Sequence, residues 1–219
     1  YRKFSELINV LLPEFEQDVD VTIVESIATE STDYSGLVEK HRPDVVISAG
    51  SNAAYLRATL SVPVLSQPIT DTDLLEALGK ARKISRRVHV FTYAETGGPS
   101  ERLFASLPEI ADIELVHHSY STASEASETL LMAIADEDPQ VVVGPSYSCG
   151  LAEQRGIPAI LMYSRESARG MLRRAIDAGR AARTARAAER GAPDQRFVIH
   201  SRQMERVASL ARTYARGQA

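Results

Sequence analysis

Few side chains in this sequence could carry chemistry. Cys149 is the single cysteine, and a lone thiol can neither close an internal disulfide nor build a thiolate metal cluster. His117 and His118 form the adjacent histidine pair. On a strand, neighbouring side chains point to opposite faces, so these two cannot chelate one ion together, and no metal-ligating residues are assigned. Neither a G-x-x-x-x-G-K-[ST] phosphate loop nor a G-x-S-x-G nucleophile elbow is present. What remains is a set of turns rich in small and hydroxyl residues: Ser48-Ala49-Gly50-Ser51-Asn52, Gly144-Pro145-Ser146-Tyr147-Ser148-Cys149-Gly150, a glycine-rich stretch from Thr92 to Ser100, and Ser121-Thr122. Their backbone N–H and hydroxyl donors suit a carboxylate or a phosphate. The candidate ligand-binding residues are Gly50, Ser51, Asn52, Thr96, Ser146, Tyr147 and Ser148; the candidate counter-cations are Arg57, Arg102, His118 and Arg165. The plainer reading of each single turn is that Gly, Ser and Asn only make turns and helix caps.

These turns need elements to position them. Leu7, Ile8, Leu11 and Leu12 recur at helical spacing, and the β-branched run Val19 to Val24 reads as a strand. The alternation continues with helix Tyr34 to His41, strand Val45 to Ile47, helix Ala53 to Leu60, strand Pro63 to Leu65 and helix Thr72 to Ile84, for which Asp71 or Thr72 can serve as cap. A second series follows: strand Val88 to Thr92, helix Ser100 to Leu107, strand Ile113 to Val116, helix Ala123 to Ala135, strand Val141 to Val143, a short helix near Leu151 and strand Ala159 to Leu161. Short apolar strands between amphipathic helices indicate parallel sheets covered on both faces.

The two series repeat one another. Leu12-Pro13-Glu14-Phe15 matches Leu107-Pro108-Glu109-Ile110 at an offset of 107 − 12 = 95; Pro43 to Ile47 matches Pro139 to Val143 at 96; Val62 to Leu65 matches Ile157 to Ile160 at 95. Three matches in one order, each at the same structural step, imply an internal duplication. The expected fold is therefore α/β: two similar Rossmann-like lobes with parallel sheets, followed by a long C-terminal linker helix. Lobe 1 is expected over residues 1–84, lobe 2 over 85–163, the linker helix over 164–190 and a further segment over 191–219. In the second series a strand precedes the Leu-Pro-Glu helix, so the first strand of lobe 1 is expected to lie before Tyr1. In open parallel sheets ligands sit at the carboxyl ends of strands, and the duplication sets the Gly50 and Ser146 turns in equivalent places facing one crevice.

The 219 residues suffice for two modules of about 100 residues each. A composition of 44% hydrophobic and 25% charged residues excludes a disordered tail or a fibre, and the net charge of −4 gives no global attraction to nucleic acid or anionic lipid. Apolar runs are too short to span a bilayer, which requires roughly 18 residues, and a reducing, cytoplasmic location is expected. Arg165 to Arg190 reads as one helix of 26 residues, with Met171, Leu172, Ala175 and Ile176 on its apolar stripe.

The stretch Phe197 to Val207, followed by Ala211 to Arg216, resembles the lead-in to the AAA+ ATPase module of sigma-54-dependent transcription activators. The duplicated part, with Arg42 to Ser48, Gly50, the Val62-Pro63-Val64 strand and the Asp73 to Leu78 helix, resembles the N-terminal receptor domain of the propionate-catabolism regulators. The resemblance implies a cytoplasmic effector-sensing domain of a bacterial activator, binding 2-methylcitrate or a related small carboxylate between lobes, with no cofactor in this part of the protein. It also implies partners: the protein's own AAA+ domain, with its ATP site and DNA-binding helix-turn-helix beyond Ala219, sigma-54 RNA polymerase and DNA through those domains, and a homodimer as a further expectation. No catalysis is expected of this chain. The alternative is an enzyme, since Gly50-Ser51-Asn52-Ala53-Ala54 and the Cys149 turn also resemble the paired loops of aspartate/glutamate racemases. There each loop supplies a cysteine as acid or base; here one position is Ser51, whose hydroxyl cannot replace a thiol in two-base proton transfer.

Overall fold

The computed structural model describes residues 2–25, 33–94 and 101–191. Among these residues, one compact unit ends at Arg180 and a second begins at Ala181. In the first half of the chain, helix α1 (Arg2–Leu11) runs into a 3-10 turn (Leu12–Glu14). Then come α2 (Tyr34–His41), β1 (Val46–Ala49), α3 (Gly50–Thr59), β2 (Val64–Gln67) and α4 (Asp71–Ala81). The second half follows with β3 (Arg87–Tyr93), α5 (Glu101–Ala111), β4 (Glu114–Tyr120), α6 (Ala123–Glu137), β5 (Val142–Gly144), α7 (Ser146–Glu153), β6 (Ala159–Leu161) and α8 (Arg165–Gly191).

The strands form two parallel sheets, β1-β2 and β4-β3-β5-β6. The duplication is visible in their register. Val46 pairs with Val64 in the first sheet, and Val142 pairs with Ala159 in the second; these are the same positions displaced by 96 and 95 residues. In each copy a helix begins directly after the first of these strands, α3 at Gly50 and α7 at Ser146. The α/β class, the parallel sheets and the long final helix all agree with the sequence reading.

Two expectations are corrected. Val19 to Val24 is not a strand. Its counterpart β4 is an edge strand hydrogen-bonded only to β3, and among the described residues the first half has no equivalent of β3, so the run lacks a neighbour to ladder with. Val19 and Ile23 pack instead against α1 and α8. The cap of α4 is neither Asp71 nor Thr72 but Thr70, which forms a capping box: its hydroxyl accepts from the Asp73 N–H at 3.1 Å, and Asp73 Oδ2 accepts from the Thr70 N–H at 2.9 Å.

Packing crosses the order of the chain. The apolar face of α4, with Leu74, Ala77, Leu78 and Ala81, is buried against Val88, Val90, Val141 and Val143 of the second half, where Leu107 of α5 joins it. Ala168 and Leu172 of α8 are buried with Ile8, Leu11 and Phe15 of the first half, beside Ile47 of β1. The last helix of each repeat thus covers the sheet of the other. The remaining faces are closed locally: Tyr34, Leu56 and Val64 on the first sheet, and Phe91, Leu130, Val142 and Cys149 under α6 and α7 on the second. Ion pairs follow the same exchange. Arg169 of α8 grips Glu14 with two hydrogen bonds of 2.7 and 2.9 Å, and Arg180 meets Asp18 at 2.7 Å.

Candidate functional site

The described candidate ligand-binding residues, Gly50, Ser51, Asn52, Ser146, Tyr147 and Ser148, lie in the first turns of α3 and α7 rather than in free loops. Both helices start at the carboxyl end of a strand, so their unpaired N–H groups face outward from the sheet edge. Gly50 opens α3 with φ +55°, in the left-handed region that a glycine adopts without strain. A side-chain carbon placed there would stand 3.6 Å from Cβ of Tyr93 and 4.0 Å from the hydroxyl of Tyr120. The first-half turn therefore lies against the carboxyl ends of β3 and β4. Tyr93 and Tyr120 are cross-strand partners there, with ring centroids 6.1 Å apart.

From the other side, α7 brings Ser148 to Tyr120. The Ser148 hydroxyl is fully buried, has no hydrogen-bond partner among the described residues, and lies near enough to the Tyr120 phenol to affect its ionisation. Burial pushes the Tyr120 phenol well above its ordinary range, against the opposing influence of the nearby Ser148 hydroxyl, so it stays protonated and can donate. Gly50, Tyr93, Tyr120 and Ser148 are thereby brought together, one turn from each repeat meeting at one tyrosine.

The other candidates are placed as follows. Asn52 donates its side-chain amide to Ser48 Oγ at 2.8 Å, steadying the first turn of α3. The Ser146 hydroxyl accepts the Phe4 backbone N–H at 3.2 Å, so it ties α1 to α7, and Lys3 reinforces that contact by reaching Glu153 at 2.7 Å. Ser51 and Tyr147 are half-buried in their helical turns. Thr96 lies outside the described residues. Among the candidate cations, His118 is not beside the turns: its ring stacks on Phe91, 4.4 Å between centroids, and meets His89. Arg57 lies in the last turn of α3, at the opposite end from Gly50, while Arg165 is an exposed residue opening α8.

Cys149 follows Ser148 in α7 and is buried, donating to the carbonyls of Gly144 and Ile160 at 3.3 Å each. Burial is the main reason its thiol is pushed up to about 12. A thiol held protonated in that way does not serve as a base near neutral pH. The sequence reading missed the two tyrosines. The available signal was position: each is the last residue of a strand that precedes a serine- or glycine-rich turn.

The duplicated α/β fold thus brings a polar helix-start from each copy to one sheet edge. The chain belongs to the propionate catabolism activator family, whose N-terminal domain model matches residues 15–185. An NtrC family transcriptional regulator from Clostridium acetobutylicum shares the fold with a TM-score of 0.65 and 16% identity, over 81% of this chain and 92% of that one. Two further structures are too different in shape to carry an argument. A ligand-free, open substrate binding protein with adhesive properties from Clostridium difficile has a TM-score of 0.33 and 12% identity, over 88% of this chain and 83% of its own. A LacI family transcriptional regulator from Bifidobacterium animalis subsp. lactis has 0.35 and 13%, over 81% and 87%. The protein is thus a regulatory sensing domain of a transcription activator. No helix among the described residues is long and apolar enough to cross a membrane.

Proposed function

We propose that the domain binds a small carboxylate, 2-methylcitrate or a close relative, between the first turns of α3 and α7. The observation that supports this most is the meeting of Gly50 and Ser148, equivalent helix-starts of the two repeats, at Tyr120. Backbone N–H groups at the two helix starts favour an anion, and the Tyr120 phenol adds a donor. Residues Ser51, Asn52, Ser146, Tyr147 and, from the glycine-rich stretch, Thr96 complete the proposed contact set. An anion held by both repeats favours one arrangement of them, provided that it binds that arrangement more tightly than the other.

The change then reaches α8, the helix that leaves the domain, and through it an AAA+ ATPase module of a sigma-54 activator. In this reading the protein is cytoplasmic, the chain itself catalyses nothing and needs no cofactor, and ATP and DNA are bound by other domains. Calorimetric titration with 2-methylcitrate, citrate and propionate tests the reading. Saturable binding of a tricarboxylate, weakened at least tenfold by Tyr120→Phe, is the expected result. Heat from none of the three would remove the carboxylate assignment.

A further inference from the structure

Below the tyrosines, on the same face of the second sheet, lies a cluster that the sensing role does not use. His89 of β3, His118 of β4 and Glu137 at the end of α6 point into one space, with ligand atoms all within 4.8 Å of one another. His89 Nδ1 stands 3.1 Å from His118 Nε2 and 4.0 Å from Glu137 Oε2. We propose that these three side chains form a divalent transition-metal site, of the type that takes zinc, completed by water or an exogenous ligand.

Three observations carry it. Two nitrogens bound to one tetrahedral zinc at about 2.05 Å each stand about 3.3 Å apart, close to the spacing found here. Two imidazoles and one carboxylate are also the donor set of open, water-bearing zinc sites. The charge balance favours a cation as well. Among the described residues, Arg87 is the arginine beside the cluster, and it faces two carboxylates, Glu114 at 3.1 Å and Glu137 at 3.4 Å. With both rings neutral, the cluster carries one net negative charge.

The elements joined are distant in the chain: His89 and His118 come from adjacent strands, and Glu137 arrives on the helix that covers them. His89 is fully buried, while His118 and Glu137 are half-buried, so the open position lies on the solvent side. His117, on the other face of β4, pairs with Thr92 Oγ1 at 2.7 Å and stacks on Phe104. It takes no part.

The test is titration of the chelator-treated chain with Co²⁺, followed by visible absorption, and with Zn²⁺ by competition. The expected result is one ion per chain with tetrahedral ligand-field bands, affinity reduced by roughly 100-fold or more in both His118→Gln and Glu137→Gln, and unchanged binding in His117→Gln. Glu137 is half-buried at the end of α6 rather than in the core, so its variant reports on the ion even where His118→Gln fails to fold. An absence of binding, leaving only a hydrogen bond between two neutral rings, overturns the proposal. So does full affinity in Glu137→Gln.

Discussion

The Asp73 carboxylate in the first turn of α4 accepts the backbone N–H of Ser164 at 2.9 Å, and Ser164 in turn caps α8 by accepting from the Ser167 N–H at 3.1 Å. One buried side chain therefore closes the start of α4 and fixes the start of α8, the two helices that exchange sheets. Asp73 is 1% exposed, so a substitution leaves its donors buried and unpaired. Asp73→Ala should lower unfolding stability by about 2–4 kcal/mol, combining a lost cap with a lost charged hydrogen bond. Urea denaturation checks this, and a midpoint unchanged from the parent would show that the link is not stabilising.

Acid should weaken the same link. Burial alone would raise the Asp73 pKa, but hydrogen bonds from Ser164 and Thr70 outweigh it, and the folded value lies below the ordinary one. The stabilisation is therefore present above the unfolded pKa of about 3.9 and is lost as pH falls through the folded value. Unfolding curves of Asp73→Asn should show a shallower decline than the parent between about pH 4 and pH 2.

A second pH effect belongs to the histidines of β3 and β4. His89, His117 and His118 all have lowered pKa values, with burial as the main cause; the mutual proximity of the rings adds to the lowering at His89 and His117, and Glu137 opposes it at His89 and His118. The unfolded chain takes up protons first, so stability should fall as pH drops below about 6.5 and level off once the folded rings protonate. Chelator-treated His118→Gln should lose part of that slope. Equal slopes in parent and variant would contradict the assignment.

Cys149 should be inert in the folded protein. Its thiol is enclosed, donates to two carbonyls and is pushed up to about 12. Labelling with a disulfide reagent at neutral pH should proceed only as fast as the protein opens, and rise steeply at the unfolding transition. Rapid stoichiometric labelling of native protein would mean that the thiol is reachable and would revive a chemical role for it.

Two glycines should respond to alanine for different reasons. At Gly50 the new carbon meets nothing closer than 3.6 Å, but φ is +55°, so Gly50→Ala should cost roughly 1–2 kcal/mol in backbone strain alone. At Gly144 the new carbon would fall 3.1 Å from Ser148 Cβ and 3.4 Å from Phe91 Cβ. Gly144→Ala should therefore shift α7 and weaken carboxylate binding as well as stability, by about 1–3 kcal/mol in the latter. Thermal melts with and without ligand separate the two effects.

The amino-acid order by itself determined the α/β alternation, the parallel sheets, the long last helix and the doubling at an offset of 95 or 96, because apolar period and Pro-Gly punctuation act over a few residues. Val19 to Val24 marks where that local signal fails: a β-branched run becomes a strand only when a neighbouring strand supplies hydrogen bonds, and that is a property of topology. Only the tertiary structure decided that α4 and α8 cover each other's sheets, that Tyr120 joins Gly50 to Ser148, and that His118 meets His89 and Glu137 rather than His117. Each of these depends on which strands lie side by side and on which face a helix returns, and contacts between residues 29 or 91 positions apart leave no periodic trace in the chain.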